Sequence, residues 1–485
     1  MNFYSWLFAS RSVVSRRPRL PRGVACDADA DKQPKKETLA EHKLHCRAKP
    51  DNCPFEKKAV KEAEREDSIF APLGSPSPVV KEQPNEETPE QREARERDEV
   101  VKRYENPNGS KKPGWLKAPN GKPSNLSEQD WIFTRTPSFA NRYGDWLSLI
   151  CKERLAKTEA AKVKIGAFKK LEGQKIQKLA ENLMLTPRTY DTEMGRITID
   201  KRSAHSSVSH HYSDKKLDAL VSLQDDFERA IYLCSVRDYE NPDLTNHFFA
   251  YPIEYDGDRD IVCCRVSEDI NKNRLYVHEV FVEENLKDMG NALQTAAASS
   301  SKDASHTNAL PEAKPRGIAL MRNILKNIYA VNPDTVSKVR DENNEPLVVY
   351  RGGHNIGDDY WENAYFTENK SFAKRFGAVR RFFLDFKKPY EVYAGGDPWD
   401  GIATDKFEDG EVERLGFRTE SPYDDDDEGG SIERVHLDSI VSSIIYDHSD
   451  EYDSVVVHDC EDEDMISNQY VTCKEHQVIP IKETV

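Results

Sequence analysis

The stretch HFFAYPIEYDGDRDIVCCRVSED, residues 247–269, constrains this chain more than any other. Two apolar-rich runs meet at Asp256-Gly257, and such a pair suits a type I′ turn because both central residues there need positive φ. An antiparallel hairpin is therefore expected. NRLYVHEVFVEE, residues 273–284, supplies a third strand. Strict alternation would put Leu275, Val277, Glu279 and Phe281 on one face and Tyr276, His278, Val280 and Val282 on the other. Upstream, Leu217, Leu220, Val221, Phe227, Ile231 and Cys234 recur at helical spacing. Together these predict a central α+β domain, from about Pro187 to Glu284, built on a small antiparallel sheet.

The flanking segments divide the chain further. From Asp27 to about Lys122 it is charged, rich in Pro and poor in aliphatics, so residues 1–122 read as disordered. GSPSPVVKEQPNEETPEQREARERDEV, residues 74–100, is typical of this region. Its one island, EHKLHCRAKPDNCPF, offers His42, His45, Cys46 and Cys53, but their spacing fits no common zinc pattern, and no metal site is assigned. The start, MNFYSWLFASRSVVSRRPRLPRG, carries its charge after its apolar run, unlike a secretory signal. A basic extension is the reading there, with a transit peptide as the alternative.

WIFTRTPSFANRYGDW, residues 131–146, is an aromatic block that should dock on something folded. A Lys-rich helix from Lys152 to Leu185 follows, with Leu155, Val163, Phe168, Leu171, Ile176 and Leu179 along one stripe. These two make up residues 123–186. Residues 285–315 form a low-complexity linker and 316–345 a connecting segment with a helix at Ile318–Tyr329. The last domain spans 346–485, with ESPYDDDDEGG as a solvated loop.

Composition narrows the function. The formal net charge of −16 argues against a chain that coats nucleic acid or an anionic membrane as a whole. No run of roughly 18–20 apolar residues exists for a membrane helix. Nine cysteines, an odd number, do not form a disulfide framework, which suits a reducing cytoplasm.

The C-terminal blocks PLVVYRGG, AYFTENKSFAKRFG, VRRFFLDFKKPYEVY, EYDSVVVHDCEDED and NQYVTCKEHQVIPI run in order from Pro346 to Ile481. In that order they resemble the ADP-ribosyltransferase domain of phage and prophage polyvalent proteins. The resemblance implies a split antiparallel β-fold that binds NAD as substrate in a cleft. It places Arg351 on the nicotinamide ribose or a phosphate, where a planar, permanently charged guanidinium is suited. Gly352 and Gly353 would let the dinucleotide approach the backbone. Tyr365 and Phe376 would sandwich the nicotinamide ring, and Thr367 lies near a serine of the arginine-type branch. Asn369 should cap a helix Lys370–Phe376, which Gly377 would end.

Gln469 stands where the family keeps a glutamate. An amide can accept from ribose but gives a developing oxocarbenium ion no full negative charge. Glu461 and Glu463 are the acidic substitutes nearby.

GRITIDKRSAHSSVSHHYSDKKLDALVSL through RLYVHEVF is similar to the barnase/EndoU/colicin/RelE-like nuclease-type domains of the same polyvalent proteins. That resemblance implies metal-independent RNA cleavage, with Lys201, Arg202, Ser203, His205, His210, His211 and His278 as the residues to weigh. His205 and His278 are the central choices.

Three functions follow. The first is ADP-ribosyl transfer to a host protein or RNA in the bacterial host cytoplasm. The second is non-catalytic binding or assembly through degenerate domains. The third is ribonuclease action through the central domain.

Overall fold

The computed structural model describes residues 87–209, 212–238, 241, 244–269, 274–283, 317–353, 363–420, 433–462 and 465–482. The Cys/His island, His210, His211, Glu463, the linker and the acidic loop's core lie outside these residues. Glu86–Val485 forms one compact unit.

Helix α1 (Pro89–Arg103) opens the described chain. The Thr88 hydroxyl accepts from the Gln91 N–H while the Gln91 side chain accepts from the Thr88 N–H, and Pro89 occupies a first-turn position that needs no donor. Val100 and Tyr104 are buried, and the Tyr104 ring meets Trp131 edge-on at 4.9 Å. The expectation of disorder up to Lys122 therefore fails from Pro89 onward. The charges on α1 pair along the helix, as in Arg97–Glu93 and Lys102–Asp98, and its burial depends on residues remote in sequence.

The aromatic block folds as α2 (Glu128–Phe133), α3 (Pro137–Tyr143) and the start of α4 (Trp146–Lys157). Trp131, Phe139, Tyr143 and Trp146 are all buried, and Phe139 packs edge-on against Phe383 at 5.2 Å. Two ion pairs hold the block to the C-terminal part: Asp130–Arg381 at 2.6 Å and the fully enclosed Arg135–Glu345 at 2.7 Å.

The long Lys152–Leu185 helix does not form. α4 ends at Lys157, and β1 (Ala161–Lys162) pairs in parallel with Ile253 and Glu254. The Asp218 carboxylate then accepts from the Gly166 and Phe168 N–H groups, each at 2.8 Å. Helix resumes only at α5 (Ile176–Leu183), leaving Leu171 exposed. A tertiary strand pairing and a remote carboxylate outcompete a local periodicity.

The first sheet collects β1, β2 (Arg188–Thr192), β3 (Gly195–Ile199), β4 (Ile231–Arg237), β5 (Leu244–Tyr255), β6 (Asp258–Asp269) and β7 (Arg274–Glu283). Its order is β1-β5-β6-β7-β3-β2, with β4 on β5. Helices α6 (Lys201–Ser209) and α7 (Asp214–Asp226) intervene between β3 and β4. The hairpin turn is as expected, with Asp256 at φ 54° and Gly257 at φ 80°.

Three details depart from the sequence reading. The sheet is mixed, since β1–β5 and β3–β7 are parallel. Ile231 and Cys234 belong to β4, not to a helix, because α7 stops at Asp226. Alternation along β7 breaks at a bulge: Arg265 pairs with Glu279 but Val266 pairs with Val277. Leu275, Val277, Val280 and Val282 consequently share one core, while Phe281 joins another under α8 (Gly317–Ala330).

The second sheet comprises β8 (Val349–Gly353), β9 (Tyr365–Thr367), β10 (Ala378–Leu384), β11 (Pro389–Tyr393), β15 (Ser454–Asp462), β16 (Met465–Thr472) and β17 (Val478–Pro480). Its order is β11-β15-β16-β9-β8-β10-β17, and β11–β15 is parallel, so this sheet is mixed too. α9 (Lys370–Lys374) follows β9, capped by the Asn369 side chain as expected. Short strands β12 (Ile402–Ala403), β13 (Thr419–Glu420) and β14 (Arg434–Val435) form a third sheet. α10 (Glu411–Arg414) precedes β13, and α11 (Leu437–Tyr446) lies over Val455, Val457 and Val471. Among the described residues, no helix is long and apolar enough to cross a membrane.

Candidate functional sites

Strand register decides which residues of the C-terminal sheet meet. Tyr350, Thr367 and Gln469 stand opposite one another across β8, β9 and β16, so they share a face. Tyr365, two residues from Thr367, lies on that face as well, and its hydroxyl donates to Asp438 at 3.4 Å. Burial, and then the Asp438 carboxylate, push the Tyr365 hydroxyl well above its ordinary pKa. Arg351 follows Tyr350 and points to the other face, with its guanidinium 5.8 Å from the Phe366 ring. Burial lowers its pKa. The structure thus gathers Tyr365 and Gln469 but places Arg351 across the sheet from them.

The remaining residues of that set have structural partners. Gln469 is 7% exposed and donates to the Ser467 hydroxyl at 3.1 Å, while Thr367 reaches Ser467 at 3.3 Å. A Cβ on Gly352 would lie 1.9 Å from the Ala373 carbonyl oxygen. This glycine therefore admits the turn of α9, where the family reading had a dinucleotide. Phe376 stacks edge-on to Phe372 at 5.2 Å. Glu461 pairs with Ile466 near the β15–β16 turn, well along the hairpin from Gln469. A groove of about 290 Å³ opens on the face of Val456 and Tyr470, lined also by Lys338, Arg340, Glu391 and His458. Neither Gln469 nor Tyr365 lines it.

In the central domain, Lys201, Arg202, Ser203 and His205 lie on α6, and His278 on β7 faces that helix. Lys201, Arg202 and His205 lie exposed on α6, whereas Ser203 is buried. The His205 Nδ1 lies 2.8 Å from a Glu181 carboxylate oxygen on α5. His278, on the β7 bulge, instead lies 3.3 Å from the Ser206 hydroxyl. The two histidines have separate partners.

A different histidine is the centre of a connected array. His247, fully buried on β5, stands directly opposite Ser235 on β4. Its Nδ1 is 2.6 Å from Ser235 Oγ and its Nε2 is 3.0 Å from Glu268 Oε2. Tyr232 reaches Ser235 Oγ at 2.6 Å, and the buried Lys112 ammonium donates to Glu268 at 2.7 Å. The chain as a whole matches none of the known protein families, curated proteins or solved structures with which it was compared. The chemistry of this array is therefore read from its atoms alone.

Burial holds His247 below its ordinary pKa, against the opposing pull of Glu268. Glu268 sits below the usual carboxylate value because hydrogen bonding from His247 and the charge of Lys112 outweigh its desolvation. An ionised carboxylate only accepts, so the neutral imidazole carries its proton on Nε2. Nδ1 is then an acceptor, Ser235 must donate to it, and Tyr232 must donate to Ser235. Every proton runs one way, toward Glu268.

Sequence reasoning passed over these residues because Ser235, His247 and Glu268 fit no local motif. Their one shared signal is polar side chains within apolar strands, and the helical spacing of Ile231 and Cys234 hides the strand that carries Ser235.

Proposed function

We propose that the C-terminal sheet is an ADP-ribosyltransferase-like module that does not turn over NAD. In this reading the chain is a phage- or prophage-associated multidomain protein that serves binding or assembly. One observation carries the proposal: Gln469 is enclosed and hydrogen-bonded to Ser467, on the face opposite Arg351. An oxocarbenium-like transition state needs a negative charge beside the ribose and a cation on the phosphates of the same molecule. Gln469 supplies no charge, and Arg351 stands on the wrong side of the sheet to cooperate with it.

The second reading, ADP-ribosyl transfer from NAD to a host macromolecule, is favoured by the collection of Tyr365, Thr367 and Gln469 on one face. Labelled NAD, incubated with bacterial lysate and the wild-type chain, Arg351→Ala or Gln469→Glu, separates the two. The proposal expects neither nicotinamide release nor label transfer from wild type. Release from wild type that falls with Arg351→Ala would replace it with the transferase reading.

A further inference from the structure

We propose that Ser235 is an activated nucleophile, with His247 as its general base, in a site that takes electrophilic acyl groups such as small carboxylic esters. This lies outside the C-terminal sheet and is independent of the reading above.

Nucleophilic serine chemistry requires a hydroxyl within hydrogen-bond reach of a neutral base whose ring is oriented by a third group. Ser235 Oγ, His247 Nδ1, His247 Nε2 and Glu268 Oε2 form that series at 2.6 and 3.0 Å. The imidazole is used in the reverse sense to the best-known serine hydrolases, with Nδ1 toward the nucleophile, but the roles are unchanged. Lys112 anchors the carboxylate from a distant segment.

The exposure of the members is graded as the chemistry would require. Glu268, His247 and Lys112 are enclosed, while Ser235 is half-buried on β4, whose only pairing among the described residues is with β5. The reactive end thus reaches the sheet margin and the supporting end stays dry.

In the step proposed, Ser235 Oγ attacks the acyl carbon and its proton passes to His247 Nδ1. The imidazolium formed is stabilised by Glu268. The alcohol leaves with that proton as the ester C–O bond breaks, and water regenerates the serine by the same route. Tyr232, held protonated by burial, is a donor beside the reacting oxygen.

A fluorophosphonate probe tests this on the full chain without knowledge of the ester. Ser235 would form a P–O bond as the P–F bond breaks and fluoride leaves. Peptide mapping should find the label on Ser235, and none should remain in Ser235→Ala. Glu268→Gln should slow labelling of Ser235 by about 100-fold while circular dichroism stays native. Failure of the folded wild-type chain to label at Ser235, under conditions that label a known serine hydrolase, overturns the proposal. Labelling unchanged in Glu268→Gln overturns it as well, because the array would then play no part.

Discussion

Replacing Glu345 with Ala should damage this protein more than any surface change. Glu345 and Arg135 meet at 2.7 Å with side chains 0% and 4% exposed. Arg135 also donates to the Trp131 and Lys117 carbonyls, and its guanidinium lies 3.9 Å from the Trp131 ring. The Glu345→Ala variant keeps Arg135 fixed in this setting but removes its counter-charge, leaving an uncompensated buried cation. Breaking such a pair from one side costs about 3–5 kcal/mol. With a urea dependence of about 2–3 kcal/mol per molar, the midpoint should fall by about 1–2.5 M. Trp131 and Trp146 flank Arg135, so tryptophan fluorescence is a suitable probe.

Two controls sharpen the reasoning. Asp191→Ala removes the partner of an exposed arginine and should leave the midpoint unchanged. Arg135→Met combined with Glu345→Leu removes both charges and should be less destabilised than Glu345→Ala alone. A Glu345→Ala midpoint within about 0.3 M of wild type would refute the argument. So would a double variant as weak as the sum of its parts.

Three further outcomes are expected. Gly352→Ala forces a Cβ against the Ala373 carbonyl and should lower the melting temperature by several degrees; an unchanged melting temperature would show that α9 can move away. Burial raises the Glu193 carboxyl to about 7 from 4.5, so its contribution to stability is complete below pH 4.5 and is lost as pH rises through 7. Glu193→Gln should therefore gain up to about 3 kcal/mol over wild type at pH 8 and nothing at pH 4.5, and a pH-independent difference in melting curves would contradict this. Burial pushes the Cys151 thiol up to about 12 and raises Cys264 too, so both should resist maleimide until the chain unfolds, as read by mass spectrometry; labelling of the native protein would count against their burial.

Some of the fold was legible because its cause is local. The Asp256-Gly257 turn, the Asn369 cap and the α8 helix each depend on a few neighbouring residues whose backbone demands are written in their types. The extended Lys152–Leu185 helix and the strict alternation of β7 failed for the opposite reason. A parallel pairing with Ile253 and a bulge opposite Arg265 are decided by strands elsewhere in the chain.

The candidate sites divide along the same line. By itself the sequence determined which residue types these strands carry, including the amide of Gln469 and the placement of Arg351 beside two glycines. Whether two such residues meet depends on register, since a shift of one residue sends a side chain to the opposite face. Only the tertiary structure decided that Arg351 and Gln469 are separated by the sheet. It alone brought Ser235, His247, Glu268 and Lys112 into one hydrogen-bonded line, because their proximity is a property of paired strands and of a segment more than a hundred residues away.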